Sequence, residues 1–107
     1  MYARNPTTVG GGTDLTGPPI SVTSSAATVT FRNSYNTEAG WDGGVLEISI
    51  QGSEYQDFLT AGGTFTQNGY NRSLGGGRNN PIASRQGWSG NSNGYLTTIA
   101  QFPAAAN

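Results

Sequence analysis

The chain has 107 residues, of which 34% are apolar and 10% charged, with 17 glycines and a formal net charge of −1. That length holds one domain at most, with a core that is adequate rather than generous. Cysteine, histidine and lysine are absent and the five arginines (Arg4, Arg32, Arg72, Arg78, Arg85) are scattered, which excludes disulfides, thiolate metal sites and thiol nucleophiles and leaves no concentrated basic face for nucleic acid.

Residues 1–17 read as a loop-like N-terminal segment with a triple glycine at residues 10–12. The diproline of Pro18 and Pro19 keeps the chain extended without donating hydrogen bonds, so "PPISV" reads as a short edge strand, with a turn at residues 23–25. "ATVTFRNSY" alternates with a period of two: Val29, Phe31 and Asn33 face one way, Thr28, Thr30 and Arg32 the other. "GVLEISIQ" gives the strongest strand signal, with Leu46, Ile48 and Ile50 on one face and Val45, Glu47 and Ser49 on the other. "QGSE" then turns the chain into "YQDF" as a hairpin. Residues 62–81 read as one long glycine-rich loop, of the kind that is functional or mobile. "SRQGWSG" is a short strand or an ordered turn, and "GYLTTIAQF" is a final alternating strand before "PAAAN".

So polar a composition resembles a disordered linker, but disorder goes with high net charge and few aromatics, and this chain has eleven aromatic residues. Short strands, glycine turns and no helical periodicity predict an all-β sandwich. No apolar run approaches the ~20 residues of a membrane span, and no charged segment followed by an apolar one opens the chain as a signal peptide would.

Several strings occur together in order: "FRNSYNTEAGWDGGVLEISI", "QDFLTAGGTF", "GYN", "NPIASRQGWSGNSNGYLTT" and "FPAAAN". From about Pro18 to the C-terminus the chain resembles a module of secreted bacterial proteins, appended to metalloproteases of the immune inhibitor A and fungalysin types and present in large surface proteins. The resemblance implies a jelly-roll-like antiparallel β-sandwich related to MAM and galactose-binding domains, over residues 18–107. It implies an extracellular or cell-surface location and a non-catalytic role, packing on or presenting neighbouring domains of the parent polypeptide. Members of that family continue past the "PAAA" stretch with a further strand and a tryptophan-containing segment. On that pattern the chain is expected to be an incomplete domain whose open sheet edge favours association.

Three chemistries compete for the polar residues. Residues 90–94, "GNSNG", satisfy the G-x-S-x-G pattern of a hydrolase nucleophile elbow, but that motif needs a histidine and a following helix, and the expectation is a polar loop. Glu38 and Asp42, with Glu47 or Asp57, could supply the two carboxylates of a glycosidase; Glu47, opposite the apolar face, has solvent as its simplest destination. Calcium takes six to eight oxygens and tolerates irregular loops, so "NTEAGWDGG" offers Asn36, Glu38 and Asp42 as ligands of a structural Ca2+, with Asp14 joining from the N-terminal loop. The alternative is that these acids are solvated or accept backbone hydrogen bonds in the turn. Gly43 and Gly44 are expected to need positive φ or a bulge at the entrance to the next strand.

Exposed rings beside asparagines raise carbohydrate binding, for which Trp41, Tyr70 and Tyr35 are the candidates, with Tyr95 and Trp88 behind them. Trp88 is favoured as a core plug against the stem of Arg85; Trp41 is balanced between core and surface. The expected function is therefore a non-catalytic accessory or interaction domain, with a carbohydrate-binding module or a partner for extracellular protein as the alternative and a glycosidase well behind.

Overall fold

The structure, a computed structural model, describes residues 17, 19–75, 82 and 85–106. Its strands in chain order are β1 (Thr28–Asn33), β2 (Glu47–Ile48), β3 (Gln56–Asp57), β4 (Thr64–Gln67), β5 (Arg72–Ser73), β6 (Gln86–Gly87) and β7 (Leu96–Gln101), followed by one 3₁₀ turn at Ala104–Ala106. The fold is all-β, built among the described residues from three small antiparallel sheets in a sandwich-like arrangement.

The alternation of "TVTFRN" produces the expected pattern in β1, whose residues are exposed and half-buried by turns. β1 runs antiparallel to β7, from Thr28 opposite Gln101 to Asn33 opposite Leu96. The other edge of β7 takes β4, with Thr64 opposite Gln101 and Phe65 opposite Ala100; the register then slips so that Gln67 meets Ile99. Residues directly opposite share a face of a sheet. Val29, Ala100 and Phe65 therefore form a row on the inner face, while Thr28, Gln101 and Thr64 form one on the outer.

Beneath that inner face the core is made of rings. Trp88 stands edge-on to Phe31, Phe65 and Tyr70, with centroids 6.0, 5.5 and 4.8 Å away. Phe58 continues the cluster to Phe65 at 5.6 Å and Phe102 at 6.1 Å. Such pairs each contribute about 0.5–1.5 kcal/mol beyond the area they bury, which is how a chain with so few aliphatic residues fills a core. Phe58, Leu74, Trp88 and Ala100 are its buried apolar residues. Trp88 is the expected plug, only 6% exposed, with its indole N–H donated to the Asn68 carbonyl at 3.1 Å. The ring leans on other aromatics, and Arg85 reaches elsewhere.

The hairpin of β2 and β3 forms where the "QGSE" turn places it. Gln51 and Gly52 both have positive φ, 52° and 79°, the type I′ geometry that matches strand twist, and the Ser53 N–H donates to the Ile50 carbonyl at 3.0 Å.

Four expectations need correction. The strand expected at "PPISV" is not found: of this segment residues 19–22 are described and lie outside the sheets, with Ile20 65% exposed, because proline offers no N–H and, among the described residues, no strand pairs with them. The turn lies slightly later than residues 23–25, closed by the Ala27 N–H on the Ser24 carbonyl at 3.3 Å. The long loop of residues 62–81 contains β4 and β5, the latter paired with β6. Finally, Gly43 and Gly44 do not have positive φ. Gly43 is glycine because a Cβ there would lie 2.4 Å from the Trp88 carbonyl oxygen; the positive φ of 84° belongs to Gly40.

Candidate functional site

The turn that holds Glu38 and Asp42 begins with the Asp42 and Trp41 N–H groups, which donate to the Glu38 carbonyl at 3.0 and 3.1 Å. Its centre is Ser89, 4% exposed. The Ser89 hydroxyl accepts the Gly40 N–H at 3.0 Å and donates to the Asp42 carbonyl at 2.6 Å. Thr37 donates to the same carbonyl at 2.8 Å and accepts the Gly90 N–H at 3.0 Å. The Asn71 amide clasps the Ser89 backbone on both sides, N–H to Oδ1 and Nδ2 to carbonyl, each at 2.9 Å. Buried polar groups must be paired, and here two loops far apart in sequence satisfy each other.

This geometry decides what the turn can offer a cation. The Asp42 carbonyl already accepts two hydrogen bonds, so it is not available as a ligand. Asn36 sits on an isolated bridge to Asn91 and, like Glu38 and Asp42, is exposed. Asp14 lies outside the described residues. Among the described residues no three acidic side chains gather, so a calcium ion here would draw on the two carboxylates, an amide and water for its six to eight oxygens.

The carboxylates that do meet are Glu47 and Asp57, directly opposite each other across the β2–β3 hairpin. Like charges in that position repel, and Arg85 relieves them, its Nη1 2.8 Å from Glu47 and its Nη2 2.9 Å from Asp57. Partial burial works against the guanidinium charge, but the bonds to Asp57 and Glu47 outweigh it and raise the Arg85 pKa above its ordinary value. Glu47 is thus exposed, as expected, yet ion-paired rather than merely solvated. The other Asp57 oxygen accepts the Leu59 N–H at 2.9 Å.

Tyr70 closes the cluster. Its hydroxyl accepts the Leu46 N–H at 2.8 Å and lies 3.0 Å from the Leu46 carbonyl and 3.2 Å from Asp57 Oδ2. Burial, seconded by the Asp57 charge, pushes the Tyr70 pKa well above that of a free phenol. The residue expected as a sugar platform is therefore anchored at both its ring and its hydroxyl. Even so, one edge of it, with Phe65, Leu59 and Gln67, lines an open groove of about 500 Å³ beside β4.

Tyr35 is half-buried and accepts the Asn71 amide at 3.3 Å. Its backbone is tied to Ser92, which donates its N–H to the Tyr35 carbonyl at 2.9 Å and accepts the Tyr35 N–H on its hydroxyl at 2.9 Å. The Ser92 hydroxyl staples this loop, accepting the Tyr35 N–H and donating to the Gly94 carbonyl at 2.6 Å. Trp41 is 38% exposed and packs against Gly75, where a Cβ would come within 2.6 Å of the indole. Tyr95, 60% exposed, lies under Arg32 with the guanidinium 6.0 Å from its ring centre. Sequence reasoning did not single out Ser89, Asn71 or the Arg85 clamp. Only the clamp left a partial trace: the turn at Gln51 and Gly52 announces the hairpin, but a two-residue turn by itself sets Glu47 opposite Gln56, and the one-residue offset that brings Asp57 across from Glu47 has no signal in the sequence.

Comparison of the chain with known family models, curated proteins and solved structures found no match.

Proposed function

We propose that this chain is a non-catalytic accessory or interaction domain of a larger secreted bacterial protein, with a jelly-roll-like sandwich as its fold. The observation that carries this reading is the use made of its reactive side chains. Glu47, Asp57 and Arg85 neutralise one another across a hairpin, Ser89 and Ser92 hold loops together, and the Tyr70 hydroxyl is bonded to backbone. A glycosidase would turn its two carboxylates on substrate; the pair that meets here is turned on an arginine. Neighbouring domains of the parent polypeptide are the partners this reading implies. A structural cation at Glu38 and Asp42 would add to the turn without creating it, because Ser89 already organises its backbone.

The second reading is a carbohydrate-binding module, favoured by exposed Trp41 and the groove lined by Phe65 and Tyr70. Rings beside amide side chains stack on sugars and satisfy their hydroxyls. Electrophoresis through gels containing soluble polysaccharides, run beside a reducing-sugar assay, tests both readings. The accessory reading expects no sugar release, and release that disappears in Asp57→Asn would overturn it. Retardation abolished by Trp41→Ala would select the carbohydrate module.

A further inference from the structure

The chain contains one tripeptide twice, Asn68-Gly69-Tyr70 and Asn93-Gly94-Tyr95. An asparagine followed by glycine has a reactive option that other asparagines largely lack. The amide nitrogen of the next residue can attack the side-chain carbon Cγ, and a glycine carries no Cβ to shield that nitrogen. Because the two tripeptides are identical, any difference in their chemistry comes from the fold.

The fold treats them in opposite ways. The Asn68 side chain donates from Nδ2 to the Thr97 carbonyl at 2.8 Å. Its backbone carbonyl accepts the Trp88 indole N–H and the Thr98 hydroxyl, each at 3.1 Å. Trp88 and Thr98 are both buried, so turning the Asn68–Gly69 peptide would leave two core donors unsatisfied. Gly69 is equally confined, since a Cβ there would lie 2.6 Å from Cβ of Phe65.

Asn93 is exposed. Among the described residues its side chain makes no hydrogen bond, and neither does the Gly94 N–H. Nothing lies within 4 Å of a Cβ built at Gly94, which leaves room for the peptide to turn. The loop is held only to either side of that peptide. The Asn93 N–H donates to Asn91 Oδ1 at 2.8 Å, and the Gly94 carbonyl accepts the Ser92 hydroxyl at 2.6 Å.

We propose that Asn93 is a self-modification site, deamidating through Gly94, while the core protects Asn68. The Gly94 nitrogen bonds to Asn93 Cγ and gives its proton to solvent; the Cγ–Nδ2 bond breaks and the amide leaves as ammonia. The resulting five-membered succinimide takes up one water. Opening at Cγ restores the ordinary main chain with an aspartate at position 93. Opening at the backbone carbonyl routes the main chain through the side chain as isoaspartate, with one more methylene between Ser92 and β7. Either product adds one negative charge to the loop that Ser92 ties to Tyr35. The longer isoaspartate chain also moves Gly94 against the Ser92 hydroxyl that holds it.

The test follows both tripeptides in the same molecule. The folded chain is held at mildly alkaline pH, which favours loss of the amide proton, and its peptides are mapped by mass spectrometry for exchange of NH₂ for OH. A parallel time course runs in denaturant, where the identical tripeptides should convert at matching rates. In the folded chain Asn93 should convert at least about tenfold faster than Asn68, because a reacting pair misplaced by about 1 Å can lose about 10²-fold in rate. Asn93→Gln makes the side chain one carbon too long for the five-membered ring, and its peptide should stay unchanged over the same period. Equal rates at Asn68 and Asn93 in the folded chain would overturn the proposal, as would folding that slows Asn93 as much as Asn68. Conversion of the Asn93→Gln peptide at the parent's rate would mean direct hydrolysis and remove the role of Gly94.

Discussion

Ser89→Ala removes one oxygen and no volume of consequence, and it isolates the polar hub of the domain. The hydroxyl accepts from Gly40 at 3.0 Å and donates to Asp42 at 2.6 Å inside a site that is 4% exposed. Asp42 keeps the Thr37 hydroxyl at 2.8 Å, so the acceptor remains satisfied. The Gly40 N–H loses its partner in a place water reaches poorly. One net hydrogen bond is worth about 1 kcal/mol and an orphaned buried donor costs about 1–3 kcal/mol more, so the expected loss is about 2–4 kcal/mol. For a domain of this size that lowers Tm by roughly 10–20 °C. Urea unfolding followed by Trp88 fluorescence measures it, with an unchanged m-value expected. A loss below about 0.5 kcal/mol, the range of ordinary surface substitutions, would refute the view that Ser89 joins the two loops.

Other consequences follow from the same geometry. Gly43→Ala should destabilise by about 1–3 kcal/mol as the new methyl meets the Trp88 carbonyl, while Gly44→Ala, with nothing nearer than 4.0 Å, should cost under about 1 kcal/mol; equal effects in chemical denaturation would remove the close-approach argument. Trp88→Ala should cost about 3–5 kcal/mol, enough to abolish a cooperative thermal transition, and a retained melt at the parent temperature would deny it the core. The raised pKa of Tyr70 predicts alkaline sensitivity. Its neutral form is favoured in the fold, so its contribution is complete below the ordinary phenol pKa of 10.0 and is lost progressively as pH rises beyond that. The slope approaches about 1.4 kcal/mol per pH unit, and a Tyr70→Phe variant should lose that slope in unfolding measured from pH 9 to about pH 12.

Much of the sheet was legible because local pattern and tertiary environment agree. β1 alternates in sequence and in burial accordingly, and the Gln51–Gly52 turn announced its hairpin; β7 was found as a strand, but it buries Thr98 beside Ala100 and leaves Ile99 on the other face. The strongest apolar pattern, "GVLEISIQ", overstated its strand, since only Glu47–Ile48 form it; the Leu46 carbonyl still accepts the Phe58 N–H at 2.9 Å, but its own N–H goes to the Tyr70 hydroxyl. β4 and β5 were hidden because their pairing depends on β7 and β6, which no property of their own threonines and glycines reveals. The site was harder still. Ser89 meets Asp42 across 47 positions and Arg85 meets Asp57 across 28; hydrogen bonds between remote loops leave no spacing to read. Trp88 was recoverable because a large ring in a small polar chain has few places to go except its core.

The central claim is that the acidic cluster is a clamp, and Asp57→Asn tests it most directly. Asp57 is bonded to Arg85, Tyr70 and Leu59 with only 16% of its side chain exposed. Conversion to the amide leaves the guanidinium short of a counter-charge and sets an N–H₂ against its donors. The unfolding free energy should fall by about 1–3 kcal/mol, toward the lower end because Arg85 and Glu47 are partly solvated. A carboxylate kept for chemistry behaves in the opposite way, since relieving it tends to stabilise the fold. An Asp57→Asn domain as stable as the parent, or more so, would contradict the structural reading and return this pair of acids to candidacy as a catalytic site.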